Sequence, residues 1–347
     1  MNLLMISVHS ERSRGGIATW TDRFLKNCEK HDINCTLVNT ELVGKRGEKG
    51  TAKRNFLDEI SRTHRIFRDL KKSLGEKQYD AAHLNTSCGI FGLFRDYLVA
   101  KRIKKKGIRL ITHFHCDIPY WIHNSISRKY LGKLVSMSDE KLVLCENSRS
   151  YLEKTFGASS HKVPNFLDDA LIRNGDKVIS KTIKTAFFVG RVSEAKGARE
   201  LYQLAERFPH IEFRLVGDAS ETVAFWDKPQ NVTLMGGMPH ADVLSEMDKA
   251  DIFVFPSHSE GFSLALTEAM ARGLPAIATD VGAASDMLTD GCGVVVGVGD
   301  VDAMTATIKR FEDLKIRKQF SQNAVKKVRE QYATDVILEK FKEYYLS

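Results

Sequence analysis

Two series of short apolar runs, separated by longer amphipathic stretches, are the feature that most constrains the fold of this 347-residue chain. The first series consists of Leu3–Val8, Cys35–Val38, Ala81–Leu84, Leu110–His113 and Lys141–Cys145. The second series consists of Thr185–Val189, Ile211–Val216, Val232–Met235, Ile252–Phe255, Ala276–Thr279 and Gly293–Val296. Buried strands that alternate with helices form parallel sheets with helices on both faces. The sequence therefore predicts an α/β protein with two doubly wound sheets in tandem.

The length of the chain and one turn signature set the expected domain boundaries. A chain of 347 residues exceeds one ordinary hydrophobic core, and two domains of moderate size fit it better. Val163-Pro164-Asn165-Phe166 has the composition of a strand end and a turn, and a polar connection follows as far as Lys181. We expect an N-terminal domain over residues 1–165, a C-terminal domain over 166–320 and a helical segment over 321–347.

An excess of basic residues suggests an anionic partner. Lys and Arg outnumber Asp and Glu by 52 to 44, for a net charge of +8. The bases concentrate in Lys45–Lys77 and Lys101–Arg109, where solvated helix faces are one explanation and a patch that docks on an anionic membrane surface is the other. No nucleic-acid-binding motif accompanies the charge, so no nucleic-acid partner is expected.

Cysteine spacing and hydropathy bear on the compartment. The six cysteines show no C-x-x-C pairing and no regular spacing, which predicts neither a zinc site nor a disulfide framework and fits a reducing cytoplasm. The first residues lack the pattern of a signal peptide, and no apolar run has the length of a membrane span. We expect a cytoplasmic protein, with peripheral attachment to the inner face of the cell membrane as an open alternative.

The segment Phe255–Pro275 carries the strongest chemical signal. It places Glu260 and Glu268 eight residues apart around a strand-to-helix turn. The free N–H groups of a helix start bind anions such as a diphosphate. Eight helical residues span about 12 Å, so the two carboxylates would reach a sugar at one end and a ribose at the other. This is the layout of a nucleotide sugar.

A second loop supplies positive charge after the first strand of the second series. In Gly190-Arg191-Val192-Ser193-Glu194-Ala195-Lys196-Gly197, two bases lie five residues apart. Arg191 and Lys196 would neutralise a diphosphate leaving group, although a plain solvated loop has the same composition.

These two loops together resemble the donor half of the retaining GT-B glycosyltransferases of family 4. The resemblance extends over most of residues 185–300 and includes Val216-Gly217-Asp218 and Gly291-Cys292-Gly293. It implies a GT-B fold, with two Rossmann-like domains facing across a cleft and the segment 321–347 returning to the N-terminal domain. It also implies that Glu260 holds donor-sugar hydroxyls, that Glu268 holds the ribose, and that Arg191 and Lys196 hold the diphosphate. The implied amide contacts to sugar and phosphate come from Gly261, Phe262, Ser263 and Leu264. Without the resemblance, Glu268 is a helix-surface carboxylate and Glu260 a capping residue.

Two weaker signals lie in the first half. Gly16, in Arg14-Gly15-Gly16-Ile17, follows the first strand, where a plain turn explains it equally well. The resemblance assigns Gly16 to the donor phosphate or the acceptor side. His113 and His115 end another strand, and a metal pair, a core histidine and a catalytic imidazole compete. The resemblance favours His115 as the residue near the donor sugar.

Two further segments have ordinary explanations. Asp300-Val301-Asp302 matches a metal-binding pattern but begins a helical stretch, so Asp300 is expected to be an N-cap, and no essential metal or cofactor is expected. Ile118–Val135 has apolar residues at spacing four, typical of a helix packed on its core, and an acceptor groove or lipid contact is the alternative.

The resemblance predicts a hexosyltransferase-type enzyme. It would move a sugar from a UDP- or GDP-sugar to an acceptor hydroxyl with retention, without a side-chain nucleophile. The expected setting is bacterial cell-surface polysaccharide or glycolipid synthesis, with a sugar or lipid-linked acceptor. A nucleotide-sugar 2-epimerase and a non-catalytic nucleotide-sugar binder remain alternatives. A dehydrogenase is disfavoured because the first glycine loop lacks G-x-G-x-x-G.

Overall fold

The computed structural model describes residues 1–9, 15–42 and 56–347, without the side chains of Phe56 and Leu57. The chain divides into two compact units. The first unit comprises Met1–Phe166 and Thr334–Ser347, and the second comprises Leu167–Ala333. No helix in these described ranges has both the length and the apolar character needed to cross a membrane.

The first unit contains one parallel sheet in its described residues, with strand order β2-β1-β3-β4-β5-β6. The strands are β1 (Asn2–Ser7), β2 (Asn34–Asn39), β3 (Ala81–Thr86), β4 (Arg109–Phe114), β5 (Glu140–Val143) and β6 (His161–Lys162). The helices within Met1–Phe166 are α1 (Gly16–Asn27), α2 (Phe56–Glu76), α3 (Ile90–Lys104), α4 (Ile118–Trp121), α5 (Ser125–Met137) and α6 (Glu146–Phe156).

Alternate side chains of β1 supply two cores, one on each face of the sheet. Leu3 and Met5 pack with Trp20 in one buried cluster, whereas Leu4 and Ile6 belong to the other. Because successive side chains of a strand point to opposite faces, a continuous apolar run of this kind requires helices on both sides.

The second unit has the strand order β12-β11-β10-β7-β8-β9. Its strands are β7 (Thr185–Val189), β8 (Glu212–Val216), β9 (Val232–Gly236), β10 (Ile252–Phe255), β11 (Ala276–Thr279) and β12 (Gly293–Val296). Its helices are α7 (Ala198–Arg207), α8 (Glu221–Ala224), α9 (His240–Lys249), α10 (Leu264–Ala271), α11 (Ala284–Met287), α12 (Val301–Arg310) and α13 (Leu314–Gln331). The strand order reverses between β7 and β10, the place where ligands bind in doubly wound sheets.

The last segment of the chain crosses between units later than expected. The expected helical segment over 321–347 consists of the end of α13, which stops at Gln331, and a further helix, α14 (Thr334–Leu346). Residues up to Ala333 belong to the second unit, where α13 packs against α10. Phe341 and Tyr345 of α14 are buried in the core of the first unit.

The cysteine spacing predicts no disulfide framework, and the structure contradicts this at one pair of cysteines. Cys88 and Cys116 are bonded, at a sequence separation of 28 residues. Thr86 and Phe114 are register partners at the ends of β3 and β4, and each cysteine lies two residues further along. The pairing therefore follows from strand register, which cysteine spacing alone does not reveal. With this bond present, the cysteines no longer favour a reducing compartment.

A cluster of buried histidines should make the protein sensitive to acid. His83 is fully buried, and burial lowers its pKa to about 3. In the unfolded chain, His83 takes up a proton near pH 6.5. Its contribution to the free energy of unfolding is therefore full above that pH and is lost as the pH falls toward the pKa of the folded state. We expect protonation linked to His83 alone to lower the free energy of unfolding by about 2 kcal/mol when the pH falls from about 7.5 to about 5, as measured by urea denaturation.

Substitution of His83 by glutamine should reduce this pH dependence by nearly one proton. His210, an exposed histidine of the second unit, provides the matched control His210→Gln. An equal pH dependence in the wild type and in His83→Gln would contradict the prediction.

Candidate active site

Two loops lie side by side at the carboxyl edge of the second sheet. One follows β7 and covers residues 190–196, and the other follows β10 and covers residues 256–263. Their strands are neighbours at the point of reversal, and the N–H of His258 donates to the carbonyl of Ala195 at 3.0 Å. The structure thus brings together the two segments that carry the strongest chemical signals in the sequence.

Glycines allow this close approach. Gly197 has φ +78°, and a Cβ there would lie 2.2 Å from the carbonyl oxygen of Pro256. Gly282, in the connection after β11, has φ +55°, and a Cβ placed there would lie 2.4 Å from the carbonyl oxygens of Glu260 and Gly261 in the loop after β10. Only glycine combines left-handed backbone with backbone contact at these distances.

Lys196 and Glu260 form an ion pair where the two loops meet. The Lys196 Nζ donates to Glu260 Oε1 at 2.5 Å and to the carbonyl of Ser259 at 3.1 Å. Ser257 Oγ donates to the same carboxylate oxygen at 3.3 Å. Arg191 is exposed and makes no ion pair or hydrogen bond within the described part of the chain. The site therefore presents one paired and one unpaired cation.

The start of α10 presents backbone donors beside this ion pair. Ser263 is the N-cap, and its side chain accepts from the N–H of Leu266 at 3.1 Å. The N–H groups of Gly261, Phe262, Ser263 and Leu264 have no acceptor among the residues that the structure describes. The Phe262 side chain is buried against the Tyr332 ring at 5.7 Å, which anchors the loop. Unpaired donors at a helix start are the basis of anion binding.

Glu268 is buried rather than on the helix surface, so the helix-surface alternative is wrong. Its Oε1 accepts a hydrogen bond from His240 Nε2 at 3.0 Å. Sequence reasoning missed His240, although it begins α9 after β9 and so lies at the same sheet edge as the predicted residues.

In the first unit, Gly16 is the first residue of α1, just after β1. It is exposed, and no atom of the residues that the structure describes lies within 4 Å of a Cβ placed there. The strand order of this sheet also reverses at β1, between β2 and β3. Gly16 therefore occupies a helix start at the carboxyl edge of the first sheet.

His115 and His113 have different environments. His113 is fully buried, and its ring packs against those of Trp20 and Phe341, which identifies it as a core histidine. His115 is partly exposed, and its Nε2 lies 2.9 Å from Asn85 Oδ1. Burial lowers the pKa of His115 to about 3, with a smaller contribution in the same direction from the charge of His83. The ring is therefore neutral near pH 7. Because the amide oxygen only accepts, Nε2 carries the proton and Nδ1 is left as an acceptor.

The sequence suggested two places for a metal, the segment Asp300-Val301-Asp302 and the pair His113 and His115. The structure gives the residues of both places other contacts. Asp300 accepts from the N–H of Ala303 at 2.9 Å, which confirms it as the N-cap of α12, and Asp302 pairs with Arg207. Within the described ranges, no three His, Cys, Asp or Glu side chains are grouped closely enough to hold a metal ion.

Two family models match the chain and between them cover most of both units. The model described as glycosyl transferases group 1 matches residues 174–327, and that described as glycosyltransferase family 4 matches residues 14–171. The phosphatidyl-myo-inositol mannosyltransferase of Mycolicibacterium smegmatis is 28% identical over 281 residues, covering 75% of this chain and 69% of that protein. The capsular polysaccharide biosynthesis glycosyltransferase CapM of Staphylococcus aureus is 28% identical over 172 residues, covering 46% of this chain and 44% of that protein.

Solved structures show the same fold. Sucrose-phosphate synthase from Thermosynechococcus elongatus matches with a TM-score of 0.80 at 16% identity, over 99% of this chain and 98% of that chain. Anabaena HepE, solved in complex with UDP, matches with a TM-score of 0.73 at 18% identity, over 99% of both chains. The chain belongs to glycosyltransferase family 4 and is a glycosyltransferase with the GT-B fold.

Proposed function

We propose that this enzyme takes a sugar from a nucleotide diphosphate sugar and transfers it to an acceptor hydroxyl with retention at the anomeric carbon. The observation that carries the proposal is the meeting of Lys196, Glu260 and the open amides of the α10 start at one edge of the second sheet. A diphosphate needs cations and N–H donors, and a sugar needs a carboxylate acceptor close to them. The UDP complex of Anabaena HepE, which shares the fold, supports a uridine nucleotide as the first donor to test.

Each site residue of the second unit has a proposed role in binding the donor. The diphosphate lies on the α10 amides, where Lys196 and Arg191 balance its charge without an essential metal or cofactor. Glu260 accepts hydrogen bonds from donor-sugar hydroxyls. Glu268 accepts from the ribose hydroxyls, and His240 holds this carboxylate in position.

Charge stabilisation is the main catalytic effect in this proposal. As the glycosyl bond breaks, negative charge grows on the departing diphosphate, and Lys196, Arg191 and the helix start stabilise it. The diphosphate oxygen accepts the proton of the incoming hydroxyl on the same face of the sugar, so retention requires no side-chain nucleophile.

The first unit contributes polar groups in this proposal. Neutral His115 accepts a hydrogen bond from a sugar hydroxyl through Nδ1, and the amide at Gly16 contacts a phosphate or the acceptor. We propose a sugar or lipid-linked acceptor in polysaccharide or glycolipid synthesis, because the mannosyltransferase and CapM are named for such products. Such an enzyme would work in the cytoplasm, at the inner face of the membrane.

A panel of UDP- and GDP-sugars tests the donor. A ligand at about 100 times its Kd stabilises the folded state by about 2.7 kcal/mol. We therefore expect one sugar nucleotide of the panel to raise the midpoint of thermal unfolding by several degrees. Incubation of that sugar, radiolabelled, with candidate acceptors should give a product whose anomeric configuration, read by NMR, equals that of the donor.

Other products would overturn the proposal. Conversion of the donor to its 2-epimer in the absence of acceptor would indicate an epimerase. Inversion at the anomeric carbon would exclude the retaining mechanism, and binding without turnover across acceptors would favour a non-catalytic binder.

A further inference from the structure

Glu200 of α7 is a buried carboxylate that is only half paired. Its side chain is 9% exposed, and its Oε1 lies 2.7 Å from His258 Nε2. Its other oxygen, Oε2, is buried and has no hydrogen-bond partner within the described ranges. A buried charge is costly unless it is fully paired, and each buried polar atom without a partner calls for an explanation. An apolar residue of similar size would fill the same space at lower cost.

The surroundings of Glu200 fix the position of its carboxylate. The residue lies in the first turn of α7, where the helix dipole favours a negative charge. Its neighbours Ala198 and Leu201 are buried, which anchors this turn in the core of the second unit. Helix α7 packs against α12, and a Cβ placed on Gly299, just before α12, would lie 4.0 Å from Glu200 Oε1. The carboxylate is therefore a rigid point to which a neighbouring loop can be attached.

His258 connects this carboxylate to the loop after β10. An ionised carboxylate only accepts hydrogen bonds, so His258 Nε2 donates to Glu200. The His258 side chain is 40% exposed, and its ring has no other hydrogen-bond partner in the described part of the chain. Burial therefore does little to hold this side chain, and the bond to Glu200 is what fixes it.

The residues on either side of His258 contact the ion pair of the candidate active site. Ser257 Oγ donates to Glu260 Oε1 at 3.3 Å. The carbonyl of Ser259 accepts from Lys196 Nζ at 3.1 Å. Because the three consecutive residues share one stretch of backbone, a displacement of His258 would disturb both contacts.

The basic stretches noted in the sequence, Lys45–Lys77 and Lys101–Arg109, belong to the first unit and do not share the feature seen at Glu200. In the described residues of both stretches, no buried charged atom lacks a hydrogen-bond partner. The stretch Lys45–Lys77 lies partly outside the described ranges. The excess of basic residues therefore does not account for the half-paired carboxylate.

We propose that Glu200 is a positioning residue for residues 256–263, which we call the donor loop. Through His258, it holds the Ser259 carbonyl beside Lys196 and the Glu260 carboxylate beside the donor sugar. This role rests on the proposed function, in which the donor loop binds the sugar nucleotide. A group that orients another residue is most effective on a rigid element, and α7 is such an element. Loss of the hydrogen bond, rather than loss of the charge, should therefore impair donor use.

Glu200→Leu and Glu200→Gln separate the hydrogen bond from the charge. Both remove the buried charge, but only glutamine keeps a side-chain oxygen that accepts from His258. With the donor found by thermal shift, we expect kcat/KM to fall about tenfold in Glu200→Leu and to stay within about twofold of the wild type in Glu200→Gln. Glu206→Leu changes an exposed glutamate of the same helix and should transfer like the wild type. Equal rates for the leucine and glutamine variants would overturn the proposal.

His258→Ala removes the other partner of the hydrogen bond and covers the case in which Glu200→Leu does not fold. It should lower kcat/KM about as much as Glu200→Leu. The double variant should lose no more than either single variant, because the same hydrogen bond is absent in all three. Losses that multiply in the double variant would mean that the two residues act independently, which contradicts the proposal.

Amide hydrogen exchange of the protein without ligand tests the role of Glu200 independently of transfer. The N–H of His258 donates to the carbonyl of Ala195, so its exchange rate reports whether the donor loop stays in place. We expect exchange about tenfold faster in Glu200→Leu and unchanged exchange in Glu200→Gln and Glu206→Leu. Unchanged exchange in Glu200→Leu would overturn the proposal even if the wild type transfers sugar. Faster exchange in Glu200→Leu, with no transfer by the wild type, would support the positioning of the loop and count against the proposed function alone.

Discussion

Replacement of Lys196 by alanine is expected to lower kcat for sugar transfer by about 10²- to 10³-fold, the usual effect of removing one group that stabilises transition-state charge. The side chain lies where the two loops meet, beside the open amides of the α10 start. Negative charge on the diphosphate grows as the glycosyl bond breaks, so loss of Lys196 should affect kcat more than the donor KM. Initial rates with the donor identified by thermal shift measure both constants.

Two comparison variants separate charge stabilisation from general damage. Lys309→Ala removes an exposed lysine at the end of α12 and should leave both constants unchanged. Glu260→Ala should impair transfer as well, because it removes the proposed acceptor for donor-sugar hydroxyls. Turnover at the wild-type level in both Lys196→Ala and Glu260→Ala would reject the assignment of this site.

The ion pair between Lys196 and Glu260 does not conflict with separate roles for the two residues. Their side chains are 30% and 21% exposed, and an ion pair of this exposure contributes up to about 1 kcal/mol. A diphosphate carries more charge than one carboxylate and would compete well for the lysine. Glu260 would then be available to the sugar hydroxyls at little energetic cost.

The sequence predicted strands well where apolar runs are short and buried. Ile252–Phe255, Ala276–Thr279 and Gly293–Val296 have the predicted bounds in the structure. The two-residue strand β6 was missed because both of its side chains are exposed, so it leaves no apolar signal. The predicted helix over Ile118–Val135 is two helices, since Ile122 leaves helical backbone geometry after α4.

Contacts between distant segments were the part that sequence reasoning could not predict. The sequence placed Lys196 and Glu260 in separate loops, but only the pairing of β7 with β10 shows that the loops are neighbours. The same limit applies to the hydrogen bond of His240 to Glu268 and to the Cys88–Cys116 bond. Each of these depends on strand order or register, which a single sequence encodes only through its hydrophobic pattern.

Replacement of Gly197 by alanine should destabilise the second unit and damage the site at once. At φ +78°, an L-residue costs about 1 to 2 kcal/mol, and a Cβ 2.2 Å from the Pro256 carbonyl oxygen must also push the two loops apart. Displacement of packed backbone adds about 1 to 3 kcal/mol, so we expect a loss of about 2 to 5 kcal/mol in urea unfolding. Transfer should fall even under conditions where the variant is folded, because the separation moves Lys196 away from Glu260.

Gly175 provides a closely matched control for that experiment. It also has φ +78°, but a Cβ placed there would have no atom of the described residues within 4 Å. Gly175→Ala therefore carries the backbone cost alone and should lose about 1 to 2 kcal/mol with transfer unchanged. The difference between the two variants measures how tightly the loop after β7 is held against the loop after β10. Equal stability losses and equal transfer rates would mean that the loops yield freely, and the close approach at Gly197 would then have no part in positioning Lys196.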